Sequence, residues 1–354
     1  MPLPLYQGLH APGKPDPDHM HLGLWFERYF DGYAPDFSEV DLEARSQWLI
    51  NLKTQKLGHE PTLQDKTDKI AQLAQAQSGQ ARLYACTGNF VTGTGNAHPL
   101  ENGFTWHPTL GMPYLPGSAV KGLVRALVET AYEGADRGEV LRRWFGTEDK
   151  GGVAEASGCF IFFDALPVKP CQLLPEVMTP HMGKWYEKGG KNPLAADTQP
   201  GDWHSPVPVG YLVARGLELQ FAIAPRAGAV PPERLAEELA NVWNALDHAL
   251  EWLGAGAKTA IGFGRMQSEE SRERSLQDAA EQWTGARVTF NRANGALTVK
   301  KGERSATALG AHGAALLAAL PAAVQQKVRQ NQAQGVRFTA AVSEGTVMRL
   351  TPDA

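Results

Sequence analysis

Apolar residues recur along this chain in two rhythms, and the places where one gives way to the other divide it. Trp25, Phe26, Tyr29 and Phe30 stand at helical spacing and share a face, which predicts a packing anchor. Residues 41–57 and 62–77 carry the same period, the second segment following Pro61 and stopping near Ser78-Gly79. From Ala81 the period shortens. Residues 81–92 alternate as a strand does and run into a loop, Gly93-Thr94-Gly95-Asn96. Residues 118–131 return to helix, with Ser118 as the expected N-cap and Leu123, Val124, Leu127 and Ala131 as the buried stripe. Lys121 and Arg125, one turn apart, project together from another face.

Cys159 to Phe163 is a short apolar run suited to a strand covered on both faces. An irregular stretch rich in Pro, Gly and Lys spans 170–208. Two strand-like runs at 209–224 then meet at Arg215-Gly216, with Leu217, Leu219, Phe221 and Ile223 pointing inward. Pro231-Pro232 opens a long helix whose Leu235, Leu239, Val242, Leu246, Leu250 and Leu253 recur every turn before Gly254. Residues 259–267 give a last strand. The order over 81–268 is therefore strand, helix, strand, strand, helix, strand. That order predicts an α+β, ferredoxin-like (RRM-like) β-α-β-β-α-β core with long insertions. Residues 1–20 read as an irregular arm, so that 1–80 form an arm and a helical layer. Residues 276–354 form a small α/β extension, with a hairpin of 287–291 and 296–300 across Ala293-Asn294-Gly295, a helix over 313–330 that contains Pro321, and strands at 336–342 and 346–350.

Composition narrows the possibilities. No window of the 354 residues approaches the ~20 apolar residues of a membrane span, and no basic start followed by an apolar run marks a secretory signal. A cytoplasmic protein is the expectation. Three cysteines, Cys86, Cys159 and Cys171, lie in or beside apolar runs without a C-x-x-C pair, which argues for core thiols. Net charge is −4, yet 276–354 hold nine Lys/Arg against five Asp/Glu, so that segment is +4 and the rest −8. A basic segment is joined to an acidic body.

Two glycine-rich stretches carry the candidate chemistry. In Leu115-Pro116-Gly117-Ser118-Ala119-Val120-Lys121-Gly122-Leu123-Val124-Arg125 a turn opens directly into a helix. Free N–H groups and the positive dipole end favour an anion such as phosphate, with Lys121 and Arg125 supplying full charges. The second, Gly254-Ala255-Gly256-Ala257-Lys258-Thr259-Ala260-Ile261-Gly262-Phe263-Gly264-Arg265, imitates a Walker A loop at Lys258-Thr259. It lacks the glycine before the lysine and runs from helix to strand, the reverse of a P-loop, while a dinucleotide fingerprint fails at Thr259. What remains is a loop poor in side chains that can lie along a sugar–phosphate backbone. Candidate RNA contacts are therefore Gly117, Ser118, Lys121, Arg125, Gly254, Gly256, Lys258, Thr259, Gly262, Gly264 and Arg265, with His107, His181, Lys184, Arg287, Lys300 and Lys301 as additional candidates. No metal-ligand pair accompanies the histidines, and no cofactor is expected. A competing expectation is a metal-independent endoribonuclease that processes precursor RNA, with His98 or His107 as general base. A third is an assembly adaptor that touches no RNA.

The two glycine-rich stretches, their order and the strand–helix succession resemble the RAMP superfamily of CRISPR proteins, marked by a glycine-rich loop just after the second core helix. The resemblance is strongest to the sixth-subunit family of the Cmr, or type III-B, effector complex. It is carried by Thr109-Leu110-Gly111-Met112-Pro113-Tyr114 leading into Leu115 to Gly122, Phe163-Asp164-Ala165-Leu166-Pro167, Glu176-Val177-Met178-Thr179-Pro180-His181, Asp202-Trp203 with Pro206-Val207-Pro208-Val209, and Gly254 to Arg265. Together these span roughly residues 85 to 266. The resemblance implies a non-catalytic subunit that binds crRNA near the 3′ end of the guide and packs on other Cmr-type subunits, with target RNA as a further potential partner. Target cleavage in this group belongs to a backbone subunit with an acidic loop residue, and this chain has no Asp in the comparable segment.

Overall fold

The computed structural model describes residues 21–34, 36, 38–147, 156–193, 195, 198–199, 201, 203–272, 280–292, 294–343 and 345–353. The expected arm at 1–20 and Asp202 lie outside them. The chain divides into two compact units, Met1–Ser268 and Glu269–Ala354. No helix among the described residues is long and apolar enough to cross a membrane.

The first unit contains helices α1 (Leu22–Arg28), α2 (Leu42–Leu52), α3 (Glu60–Ala76), α4 (Gly117–Ala131), α5 (Arg137–Phe145) and α6 (Pro232–His248). Its strands are β1 (Thr54–Leu57), β2 (Gln80–Cys86), β3 (Asn89–Phe90), β4 (Gly146–Thr147), β5 (Ala156–Ser157), β6 (Phe160–Phe162), β7 (Leu166–Pro167), β8 (Cys171–Met178), β9 (Val209–Arg215), β10 (Glu218–Pro225) and β11 (Met266–Ser268). The central sheet runs β11-β2-β10-β6, antiparallel throughout, with β7 beside β10. Period two sorts β10 between its faces. Leu219, Phe221 and Ile223 are fully buried in the main core with Val120 and Val124 of α4 and with Val242, Trp243 and Leu246 of α6. On the opposite face Ala222 and Ala224 pack on Ala74 of α3, and Gln220 Nε2 donates to Thr67 O at 2.7 Å. Burial of each such large apolar side chain is worth ~1.5–3 kcal/mol.

The aromatics of the N-terminal segment behave as expected: Trp25, Phe26 and Phe30 are buried in the same core, and Trp25 stacks on Trp48 with ring centroids 3.6 Å apart. The thiols of Cys159 and Cys171 are free and buried, and burial pushes them up to about 11 and about 12.

Several expectations need correction. Residues 54–57, expected to end a helix, are strand β1, and the stretch expected to be irregular from 170 holds β8. These two pair in a second sheet of order β1-β8-β9-β3. Pro175 obscures β8 in the sequence. It is tolerated because β1 pairs only at Leu173 and Cys171, leaving Pro175 with one neighbouring strand. Helix α5 was also missed, because only Val140, Trp144 and Phe145 are buried and the rest of its inner surface is polar. Buried Glu238 accepts from Trp144 Nε1 at 2.7 Å and pairs with Arg143 and Arg234, tying α5 to α6. In α4 the buried stripe is Val120, Val124 and Val128, with Ala131 exposed. The expected strand at 259–267 is a 3₁₀ turn, Thr259–Ile261, and strand only from Met266.

The second unit has its own core around Trp283, Leu297, Val299 and Phe338. Its strands β12 (Glu281–Asn291), β13 (Ala296–Lys301), β14 (Arg304–Ala308), β15 (Phe338–Ser343) and β16 (Thr346–Pro352) are ordered β14-β13-β12-β15-β16. The single helix expected at 313–330 is two, Gly310–Ala318 and Ala322–Arg329, because Pro321 cannot continue the first and caps the second. Strand β14 escaped notice since its inward residues are only Ala306 and Ala308.

Candidate nucleic-acid interface

The first glycine-rich turn is anchored at the corner between β6 and β7. Leu115 and Ala165 exchange backbone hydrogen bonds at 3.1 and 2.8 Å, and α4 starts one residue before Ser118, with Pro116 at the N-cap position. Ser118 is therefore not the cap. The Gly117 N–H donates to Asp164 Oδ1 at 2.7 Å, so a carboxylate already occupies the positive end of α4. Gly117 itself is required for packing: a Cβ there would lie 2.2 Å from Phe162 O. Beyond the turn, Ser118 is exposed and Lys121 half-buried, and no carboxylate pairs with Lys121 among the described residues. Arg125 is exposed and bonds Glu129 at 2.8 Å.

The second stretch is docked at its neck by backbone bonds and at its tip only by the side chain of Lys258. Ala255 N–H donates to Gly264 O, Ala257 N–H to Val91 O and Gly264 N–H to Asn89 O, at 2.7–2.8 Å. These bonds bring the neck against β3, where Asn89 bonds Arg215 Nε at 2.9 Å and Glu176 Oε1 at 3.3 Å. Gly254, Gly256, Gly262 and Gly264 all have positive φ, and a Cβ on Gly264 would sit 1.8 Å from Ala255 O. At the tip Lys258 adopts a left-handed backbone, φ 59°, unusual for a residue with a Cβ. Its Nζ lies 4.7 Å from the Tyr211 ring centre and 3.1 Å from Met178 Sδ. The Gly262 N–H turns back to Thr259 O at 2.9 Å, Thr259 is half-buried and Arg265 is exposed. Trp252, which precedes this loop, and Ile261 within it are 70% and 67% exposed.

The two stretches thus rest on different strands, and no hydrogen bond or ion pair joins them among the described residues. Two functional details lay beyond sequence reasoning. Asp164 was visible only as part of a motif, and the seat of Lys258 on Tyr211 and Met178 depends on a strand that the sequence hid.

The histidines have structural partners. His98 stacks on Phe26 at 4.0 Å, its Nε2 donates to Phe26 O and its Nδ1 accepts from Leu100 N–H, so both ring nitrogens are engaged. His107 is buried and its Nδ1 accepts from the N–H groups of Thr109 and Leu110 at 3.3 and 3.2 Å. Burial holds both imidazoles below the usual histidine value, which keeps them neutral. His181 Nδ1 bonds His204 O at 2.9 Å, and Lys184 is exposed. Arg287, Lys300 and Lys301 are exposed on the second unit.

Residues 82–267 match the family model of the RAMP superfamily. The CRISPR system Cmr subunit Cmr6 of Pyrococcus furiosus is 28% identical over 250 residues, which cover 52% of this chain and 68% of that relative. The CRISPR system CMR subunit Cmr6 of Saccharolobus solfataricus is 33% identical over 98 residues, covering 27% and 31%. Among solved structures, a chain of the type III-B Cmr-beta complex bound to cognate target RNA is similar with a TM-score of 0.49 and 17% identity, covering 64% of this chain and 71% of that one. Cmr6 from Pyrococcus furiosus is similar with a TM-score of 0.29 and 22% identity, covering 54% and 97%.

Proposed function

The chain belongs to the RAMP superfamily, and from that premise we propose that it is a non-catalytic, crRNA-binding subunit of a type III-B CRISPR, or Cmr, ribonucleoprotein complex. In this reading it works in the cytoplasm, holds the guide near its 3′ end and packs on other Cmr-type subunits while the assembly cleaves target RNA in antiviral defence. Residues 81–268 are the RAMP core, to which the helices between residues 21 and 80 add a layer. The sheet order β11-β2-β10-β6, with α4 and α6 as the crossovers, supports a ferredoxin-like description of that core.

The observation that carries the RNA assignment is the loop from Gly254 to Arg265, whose neck is fixed by backbone bonds, with Lys258 at its tip and Arg265 exposed beside the neck. Lys258 is held in a strained conformation, of the kind that persists where surrounding structure imposes it. Lys121, Arg125, Lys258 and Arg265 are the proposed phosphate contacts, with help from Ser118 and Gly256. Gly117 and Gly262 act through shape, because their N–H groups are already engaged. Exposed Trp252 and Ile261 supply apolar surface for a neighbouring subunit. Binding is then largely independent of sequence and sensitive to salt. The test is crRNA retention by the assembled complex at moderate salt. Lys121→Ala with Arg125→Ala should weaken it about tenfold or more, on the order of 1 kcal/mol for each phosphate contact; unchanged retention refutes the assignment.

A further inference from the structure

Two of the second unit's positive side chains, Arg287 and Lys300, stand side by side on one barrel face. β12 opens the barrel with a bulge between Trp283 and Ala286, where Gly285 has φ 70°; it pairs with β15 through Ala286 and with β13 from Arg287 onward. β13 turns into β14, the two helices follow, and β15 and β16 complete the set. The ring closes where Thr307 N–H of β14 donates to Gly345 O, beside β16. Five antiparallel strands in spatial order third, second, first, fourth, fifth, closed between third and fifth and with helix between third and fourth, are the connectivity of an OB-fold. Fold alone gives no function, so the argument turns to the face.

Val288, Leu297 and Val299 point into the barrel. The residues between them point out: Arg287 stands directly opposite Lys300, and Thr289 opposite Thr298. Two like charges at cross-strand positions repel, an arrangement that an anion between them would reverse. Neither has a carboxylate partner among the described residues, whereas nearby Arg304 is neutralised by a two-pronged contact with Glu281. A cavity of about 640 Å³ lies over the pair, lined by Arg287, Thr289, Lys300 and Asn331, and its described lining contains no acid. Asn331 makes the wall, fixed by two bonds to the Phe290 backbone at 2.9 and 3.0 Å. The cations lie on two adjacent strands, roughly 10 Å across at ordinary strand spacing, a footprint that suits one strand of nucleic acid better than a duplex.

We propose that this barrel face is a second RNA-binding surface, separate from the glycine-rich loops, which holds single-stranded RNA by its phosphates through Arg287 and Lys300. The choice of RNA rests on the function proposed above; the phosphate site does not. No aromatic residue points outward on the floor of the trough, so base stacking contributes nothing and affinity is set by charge.

The full chain is titrated against an oligoribonucleotide of about 16 nucleotides, the upper reach of one OB-fold, its DNA counterpart and its duplex, between about 50 and 200 mM salt. Arg287→Ala with Lys300→Ala should weaken single-stranded RNA about tenfold and flatten the log–log salt slope by about 1.4, two contacts at ~0.7 each. Arg287→Lys with Lys300→Arg should keep both. Unchanged affinity in the alanine variant, with the near-ultraviolet signal of the folded protein intact, overturns the proposal, as does equal loss in the charge-preserving variant. Single-stranded DNA, which carries the same phosphates, should bind about as well, and a much weaker DNA complex would overturn a contact made through phosphates alone; equal binding of the duplex overturns the choice of a single strand. If Lys121→Ala with Arg125→Ala has no effect while the barrel variant loses affinity, the earlier reading falls and this one stands; the converse pattern sinks this one alone.

Discussion

The two glycine-rich stretches of the first unit both combine glycine with a lysine and an arginine, yet they are built in opposite ways. At Leu115–Gly122 the glycine lies at the buried end: Gly117 packs on Phe162 O, and its N–H is spent on Asp164. At Gly254–Arg265 the glycines shape a neck bonded to β3, and Lys258 lies beyond it at the tip. A helix N-terminus is an anion site only while its N–H groups are free. In the first turn the protein's own carboxylate has taken that place, which leaves side-chain cations to reach a ligand. In the second, Lys258 has a left-handed backbone and its half-buried ammonium rests on Tyr211 and Met178, while Arg265 is exposed.

The largest effect expected from this contrast lies within the second loop. Gly264→Ala places a Cβ 1.8 Å from Ala255 O at φ 69°, where the neck bonds leave no room to yield. A loss of about 3 kcal/mol or more should appear as a lower urea midpoint with unchanged slope. Gly262→Ala, at φ 91° but facing open space, should cost only the backbone term of about 1 kcal/mol. Equal costs would mean that neck and tip are not built differently.

Asp164→Ala removes the acceptor of Gly117 N–H and should destabilise α4 by about 1 kcal/mol, the usual worth of a helix cap. Asp164→Asn, which keeps an acceptor oxygen, should lose less. Thermal unfolding of the two variants decides whether the first turn is held by this carboxylate. Lys258→Met probes the other side of the contrast. The methionine can occupy the same seat between Tyr211 and Met178, so stability should hold while RNA affinity drops a few-fold and the salt slope flattens by about 0.7.

How much of this the sequence disclosed follows from where each signal resides. Leu219, Phe221 and Ile223, the α6 stripe from Leu239 to Leu246, and the aromatics at 25–30 were legible because burial imposes a strict period. The sequence did not reveal β8 or α5, whose faces are completed by non-local partners: Pro175 is excused by the early end of β1, and Arg143 by Glu238, 95 residues further on. Both glycine-rich stretches were also legible, since composition alone marks them. Their difference was not. It depends on Asp164 and on Asn89 with Val91, residues that approach only after the sheets form. Closure of the second unit was equally hidden, because small inward residues such as Ala306 and Ala308 give β14 little hydrophobic signature.

The smallest effect tests whether the first turn depends on its approach. His107 sits where the chain enters that turn, and its neutral Nδ1 accepts the N–H groups of Thr109 and Leu110. Burial, with Lys66 nearby, lowers its affinity for a proton from the ordinary 6.5. The unfolded chain therefore binds a proton at higher pH than the folded one, and stability falls as pH drops below about 6.5 toward the depressed folded value. His107→Asn keeps an acceptor near the Nδ1 position and cannot titrate there. Unfolding midpoints measured between about pH 7.5 and 5.5 should decline less steeply in that variant, by no more than about 1 kcal/mol. Gly262→Ala should leave the pH dependence as it was, because the second loop has no titrating group in its neck. A wild-type slope that survives in His107→Asn would show that the approach to the first turn is held by other bonds, and the contrast between the turns would then rest on Asp164 alone.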